Sequence, residues 1–311
     1  MKVSVTTPVW GCSTNNLIAI AKMAEDSGVY SILSPEVPPY SGLANANLMA
    51  NHTSNTKVGT WISNIYLRHS VLCAGEAMTI QEFSNDRLLL GLGVSHKPVN
   101  SRLGIDMGDP IESMRTYVND IRSYVDGSSE QISLKRKVTQ FPIFIAGLTE
   151  KTAELAGEVA DGLMPYLAST EHIKKLISSV SKGRENSDLQ GTPFCMTAGL
   201  PSFISDDEDK AIESAIKGLS GYARLPYYQR VLDLSGYGEI VKRIQTGENP
   251  AECLTAELVK DLALVGSVSN CKNTLNKFIE AGVEMPIITP NAVGKQSPLE
   301  VMQNIVDVIQ S

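Results

Sequence analysis

Two short stretches, "SPEVPPY" (34–40) and "GLGVSHKP" (91–98), end apolar runs with a residue able to move a proton. Glu36 is a carboxylate that can act as acid or base if partly desolvated, and His96 is an imidazole whose charge changes near neutrality. Each also has a plainer use: Glu36 as a helix cap or ion-pair partner, His96 as a structural histidine. A third stretch, "WISNIYLRH" (61–69), gathers Trp61, Ser63, Asn64, Tyr66 and Arg68, which suits a planar anionic cofactor or ordinary packing at a strand end. In "AGLTEKT" (146–152) a helix starting near Thr149 would offer backbone N–H groups to a phosphate.

Other chemistries fit less well. "GLGVSH" reads G-x-G-x-x-H rather than a dinucleotide fingerprint, Pro98 is expected to interrupt a helix starting straight afterwards, and no P-loop lysine follows. Gly91 and Gly93 either let side chains or a ligand approach the backbone closely or relieve crowding inside a barrel. The four histidines show no metal-ligand spacing, so no metal is expected. The five cysteines are scattered without a C-x-x-C and read as small buried hydrophobes in a reducing compartment.

The elements that must position these residues follow from patterning. Eight apolar, β-prone runs stand near 3–9, 29–34, 57–63, 87–94, 141–146, 161–166, 192–198 and 283–289. Continuous rather than alternating runs suit parallel strands buried on both faces. Helical patterns lie between them. "LIAIAKMAEDSG" closes on Gly28, a C′ residue, and "DPIE" (109–112) and "SPLE" (297–300) resemble capping boxes with proline in the first turn. Eight βα units in 311 residues predict one domain, 1–311, folded as an α/β (β/α)8 TIM barrel. A doubly wound sheet is the alternative. The stretch 205–264 holds more helix than one unit needs, and reads as a helical insertion after strand 7, on the rim where a lid would sit.

The formal net charge of −7, with no basic stripe, argues against nucleic acid. No apolar run reaches membrane-span length, and "MKVSVTTPVW" alternates like a strand rather than a signal peptide, so the expected location is cytoplasmic with no membrane partner.

Several pieces together resemble the bacterial luciferase-like family of flavin- and deazaflavin-dependent oxidoreductases. "NDRLLLGLGVSHKP" is similar to that family's G-G-R-x-x-L-G-L-G run, with Asn85 and Asp86 in place of the glycines. "PIFIAGLTEKTAELAGEVADGLMPYLASTEH" is similar to its strand 5 to strand 6 segment with the A-D-G signature, and "LVGSVSNCKNTLNKFIEAGVEMPIITP" to its closing unit. "ISNIYLRH", "LGLGVSH", "PYLASTEH" and "RLPYYQRVL" resemble a branch labelled probable deazaflavin-dependent oxidoreductases; methylene-tetrahydromethanopterin reductase shares the general plan more distantly. Where that reductase carries Asp-His after strand 2 this chain has Pro35-Glu36, and where it carries an acidic residue this chain has His96.

The resemblance implies an oxidoreductase using reduced FMN or deazaflavin (coenzyme F420) on a small-molecule substrate. With FMN the expected activity is a monooxygenase that uses oxygen, served by a separate flavin reductase; with deazaflavin it is hydride transfer by a reductase or dehydrogenase. It implies that Trp61 and Ile62, joined by a cis peptide, back one ring face beside Ser63 and Asn64. Ser95, His96 and Lys97 would border the ring or its side chain, Ala146, Gly147, Leu148 and Thr149 would hold the ribityl phosphate, and Glu36 and His96 would be catalytic. A homo-oligomer is also expected. Two alternatives stay open: a cofactor-binding barrel without turnover, and another barrel enzyme such as a Schiff-base aldolase or metal hydrolase, which no interior strand lysine or metal-ligand pair supports.

Overall fold

The protein is described from a computed structural model covering residues 2–130, 132, 136–185 and 187–311. In chain order it forms β1 (Ser4–Thr6), α1 (Thr14–Asp26), β2 (Ser31–Ser34), α2 (Gly42–His52), β3 (Lys57–Thr60), β4 (Ser63–Asn64) and α3 (Ser70–Phe83). There follow β5 (Leu88–Gly93), α4 (Lys97–Arg102), α5 (Pro110–Asp126), β6 (Ile143–Ala146), α6 (Glu150–Val159), β7 (Gly162–Met164) and α7 (Thr170–Glu185). The last third is β8 (Cys195–Ile204), α8 (Glu208–Ala223), α9 (Pro226–Leu232), α10 (Gly238–Gln245), α11 (Pro250–Cys253), α12 (Ala256–Leu262), β9 (Leu264–Gly266), α13 (Val268–Glu280), β10 (Met285–Pro290) and α14 (Pro298–Gln310).

Each of the eight predicted runs contains a strand, with three departures. The third is broken into β3 and β4. A further strand, β9, closes the helical stretch after β8. And α4 begins directly after His96, with Pro98 inside its first turn. The expectation that Pro98 blocks a helix there is corrected: in a first turn the missing N–H has no intrahelical acceptor to lose.

Contacts divide the chain into two compact units. The unit formed by Tyr30–Met164 and Ser178–Cys195 carries β2 through β7. Its ladders run β2–β3–β5–β6–β7, all parallel, with β4 also on β5. The unit formed by Met1–Val29, Pro165–Ile177 and Met196–Ser311 pairs β1 with β10, β10 with β8 and β8 with β9, again in parallel. Strands β2 and β5 are buried at every position, which is why their sequences, SILS and LLLGLG, do not alternate.

The local signals work as chemistry predicts, with one amendment. Ser297 forms a full capping box with Glu300. Asp109 caps α5 through Ile111 and Glu112 amides, but Glu112 pairs with Arg115 at 3.4 Å, so the expected box is half made. Gly28 has φ of 72° just past α1. Asn85 and Asp86 stand at φ of 55° and 64°, a left-handed turn that these two residue types enter more readily than most. Arg87, next in sequence, is buried and donates to Ser84 O, Thr53 Oγ1, Thr56 O, Ala50 O and Thr53 O. It ties the C-terminal end of α2 to the start of β5. Among the described residues no helix is long and apolar enough to cross a membrane.

Candidate functional site

The break in the third strand is a bulge. Gly59 pairs with Leu89 and Ser63 with Leu92, so four steps on one strand match three on its neighbour. The Thr60 hydroxyl spans the gap, donating to Gly91 O at 2.7 Å and accepting from Gly91 N at 3.0 Å. Inside the bulge the Trp61–Ile62 peptide is cis, as the resemblance implies, and Trp61 N donates to Ser34 O at 2.9 Å. Both residues are half-buried. A Cβ on Gly93 would lie 2.3 Å from Ile62 Cδ1, and one on Gly91 would lie 2.2 Å from Thr60 O. At these two glycines the Ile62 side chain and the Thr60 carbonyl approach the backbone too closely for any larger residue.

Glu36 stands just past β2 as expected, but its carboxylate is fully engaged. Oε1 accepts from Asn64 N at 2.9 Å and from Ser63 Oγ at 3.3 Å; Oε2 accepts from Gly42 N at 3.2 Å and pairs with Arg68 Nη2 at 2.8 Å. The side chain is 2% exposed. Its plainer use, ion pair and helix-start acceptor, is therefore what the structure shows. Arg68 also donates to the Ser63 and Ser41 hydroxyls and pairs with Glu76 at 3.4 Å. Burial alone would pull the guanidinium pKa down; the bond and charge of Glu36 outweigh this and raise it.

Ser63 and Asn64 are buried parts of the same network. Asn64 Nδ2 donates to Asn100 Oδ1 at 2.9 Å, Asn64 Oδ1 accepts from Tyr66 N at 3.2 Å, and Asn100 Nδ2 donates to Val94 O at 2.9 Å. The Ser63 and Asn64 side chains thus help to hold the loop after β5. Asn100, fully buried, and Thr60 were not singled out from sequence. Nothing in "KPVNSR" marks an asparagine as a tie until α4 is known to form there.

The loop they hold carries Ser95, His96 and Lys97. Ser95 has φ of 56°, a left-handed conformation costly for a residue with a side chain by roughly 1–2 kcal/mol. His96 is half-buried, and burial pushes its imidazole pKa below the ordinary 6.5. Lys97 is exposed in the first turn of α4. On the far side of β5, Ala146 ends β6, Gly147 and Leu148 are buried, and Thr149 caps α6 in a reciprocal pair with Thr152. That pair occupies the Thr149 and Thr152 amides, leaving Glu150 and Lys151 to present the first-turn N–H groups.

Two of the five thiols are held inert by burial. Burial pushes Cys73 up to about 11 and Cys271 up to about 12, so both stay protonated. Among the described residues no cluster of His, Cys, Asp and Glu is placed to hold a metal.

The sequence profile of the luciferase-like monooxygenases matches residues 3–285. The chain belongs to that family. Among its luciferase-like relatives is a 5,10-methylenetetrahydromethanopterin reductase of Methanolobus tindarius, 21% identical over 294 residues covering 88% of this chain and 89% of that one. The solved structure of coenzyme F420-dependent tetrahydromethanopterin reductase from Methanopyrus kandleri superimposes with a TM-score of 0.79 at 20% identity, covering 98% of each chain. The oxygenating constituent of 3,6-diketocamphane monooxygenase from Pseudomonas putida, in complex with FMN, superimposes at 0.69 with 16% identity, covering 99% of this chain and 97% of that one. These likenesses show the fold, the (β/α)8 TIM barrel of the luciferase-like enzymes, and dispose of the doubly wound alternative. The protein is an oxidoreductase of this family. Both cofactors expected from sequence occur among its relatives, F420 by name in one and FMN in another.

Proposed function

We propose that the protein is a coenzyme F420-dependent oxidoreductase that transfers hydride to or from a small organic substrate. The observation that carries this reading is the match over 88% of the chain to a methylenetetrahydromethanopterin reductase, joined to the structural likeness to an F420-dependent reductase. The residues present fit such a group. The Trp61–Ile62 bulge gives a ring a backbone wall, Ser95 turns the chain beside it, and the α6 N-terminus with Lys97 suits a phosphate. The deazaflavin, when bound, supplies or accepts the hydride.

The chain's own residues do the rest. His96, neutral around pH 7, takes or returns the proton at the oxygen bonded to the substrate carbon that gives up or gains the hydride. Glu36, Arg68, Ser63, Asn64 and Asn100 position the bulge and the loop of Ser95 and His96. Ala146, Gly147, Leu148 and Thr149 hold the phosphate-bearing side chain.

A second reading, an FMN-dependent monooxygenase with a separate reductase, is favoured by the likeness to the diketocamphane enzyme. Titrating the protein with oxidised and reduced F420 and FMN, followed by Trp fluorescence, separates the two. The F420 reading expects at least tenfold tighter binding of the deazaflavin and no substrate-linked oxygen uptake. Tighter FMN binding with oxygen consumption would replace it by the second.

A further inference from the structure

On the edge facing β3 and β4, every second residue of β5 presents its backbone groups. Arg87 O accepts from Val58 N at 2.9 Å, and Gly93 O accepts from Ile65 N at 3.0 Å. Between them the register passes from Gly59–Leu89 to Ser63–Leu92, so the rung at Gly91 falls where the strand is broken. Both Gly91 groups go instead to one side-chain atom. Gly91 N donates to Thr60 Oγ1 at 3.0 Å, and that hydroxyl donates to Gly91 O at 2.7 Å. A hydroxyl carries one donor and two acceptor lone pairs, so a single oxygen can serve an N–H and a C=O at once.

Thr60 is fully buried, and its other branch is used as well. A Cβ on Gly42 would lie 3.2 Å from Thr60 Cγ2, so the methyl abuts the first residue of α2, whose amide donates to Glu36. A β-branched side chain is stiff at χ1, and seating the methyl there keeps the hydroxyl aimed at Gly91. The next two residues, Trp61 and Ile62, are half-buried. The wall they form is pinned at both ends: by Thr60 on Gly91, and by Ile62 over Gly93, where a Cβ would lie 2.3 Å from Ile62 Cδ1. Thr60 itself has no surface to offer a ligand, so whatever it does for the site it does through Trp61 and Ile62.

We propose that Thr60 is a positioning residue for the cofactor wall: its hydroxyl replaces the missing rung and fixes how far the Trp61–Ile62 segment stands off β5. This rests on the oxidoreductase reading for the ring that the wall supports. Valine fills the same space but leaves both Gly91 groups without this partner, a penalty the chain relieves by shifting the segment or admitting water. Serine keeps the oxygen and gives up only the methyl seat. The requirement is for an oxygen at this place, not for bulk.

The test uses the full chain carrying Trp10→Phe as parent, which leaves Trp61 as the single tryptophan of the two. Two quantities are read: acrylamide quenching of Trp61 emission without cofactor, and the dissociation constant of F420 or FMN, whichever the parent binds more tightly. Thr60→Val should raise the quenching constant about threefold and weaken cofactor binding about tenfold, as a wall held too loosely would. Thr60→Ser should restore both to within about 1.5-fold of the parent, because the oxygen is back in place. A lower urea-unfolding midpoint for Thr60→Val, with quenching or affinity at the parental value, would make the residue merely structural and overturn the proposal. So would Thr60→Ser behaving like Thr60→Val. Should Thr60→Val fail to fold, Thr60→Ala against Thr60→Ser, which differ by that oxygen alone, decides. Failure of the function reading shows separately: the parent binds neither cofactor, while the quenching contrast between Thr60→Val and Thr60→Ser, read without cofactor, still decides the role of Thr60.

Discussion

Arg68 Nη2 lies 2.8 Å from Glu36 Oε2, with the two side chains 12% and 2% exposed. A pair this dry is an anchor whose halves depend on each other. Removing one partner strands the other in low dielectric, which typically costs 3–5 kcal/mol, whereas replacing both by apolar groups costs much less. Glu36→Ala should therefore lower the stability by about 3–5 kcal/mol in urea unfolding, and Glu36→Met with Arg68→Met should recover part of it. A loss under about 1 kcal/mol for the single variant would show that the pair is not the anchor described.

His96 sets the expected pH dependence. Burial disfavours its imidazolium, so its folded pKa lies below 6.5. The rate kcat/KM should be flat above pH 6.5 and fall on an acid limb below it, as the base becomes protonated. Stability moves the same way: the unfolded chain takes up this proton first, so the contribution of His96 is full above 6.5 and declines as pH falls toward the folded value. His96→Gln should lower turnover on the order of 10²-fold and remove the limb. An unchanged limb in that variant would assign it to another group.

Gly93→Ala tests the crowding against the bulge. The added Cβ would sit 2.3 Å from Ile62 Cδ1, and that contact can only open by moving the side chain or the strand. We expect about 1–3 kcal/mol of destabilisation, from calorimetry, and a cofactor affinity reduced at least tenfold. Wild-type affinity would mean that Ile62 rearranges freely and that the wall is not set by β5.

Asp86, at φ of 64°, distinguishes backbone need from side-chain need. Asp86→Ala should cost about 1 kcal/mol in chemical denaturation, since alanine cannot share the local bonding that eases aspartate into this region. Asp86→Gly should be neutral within about 0.5 kcal/mol, conformational ease offsetting the freedom glycine adds to the unfolded chain. Equal losses in both would point to the carboxylate instead.

The strands were legible because burial on both faces leaves a continuous apolar run, as in LLLGLG. The three-residue β9 was not, because "LVG" following "KDLA" continues a helical pattern and only its pairing with Ser202–Ile204 makes it a strand. Glu36 and His96 were found by type and position after a strand. Whether Glu36 is exposed or paired depends on Arg68, 32 residues along, and no local pattern carries that information. The resemblance marked the cis bond at Trp61–Ile62 but not the bulge around it, which is a mismatch between two strands rather than a property of either.

That mismatch has a consequence for parity. In a strand, faces alternate with every residue, so one extra residue inverts which side all later side chains occupy. The residue gained between Thr60 and Ser63 therefore decides that Asn64 meets Asn100, and that its amide meets Glu36. Shortening this segment by one would mend the ladder with β5 and at the same time turn the network inside out. The length of the loop between two fixed registers, more than the identity of any residue in it, is what connects β2 to the histidine after β5.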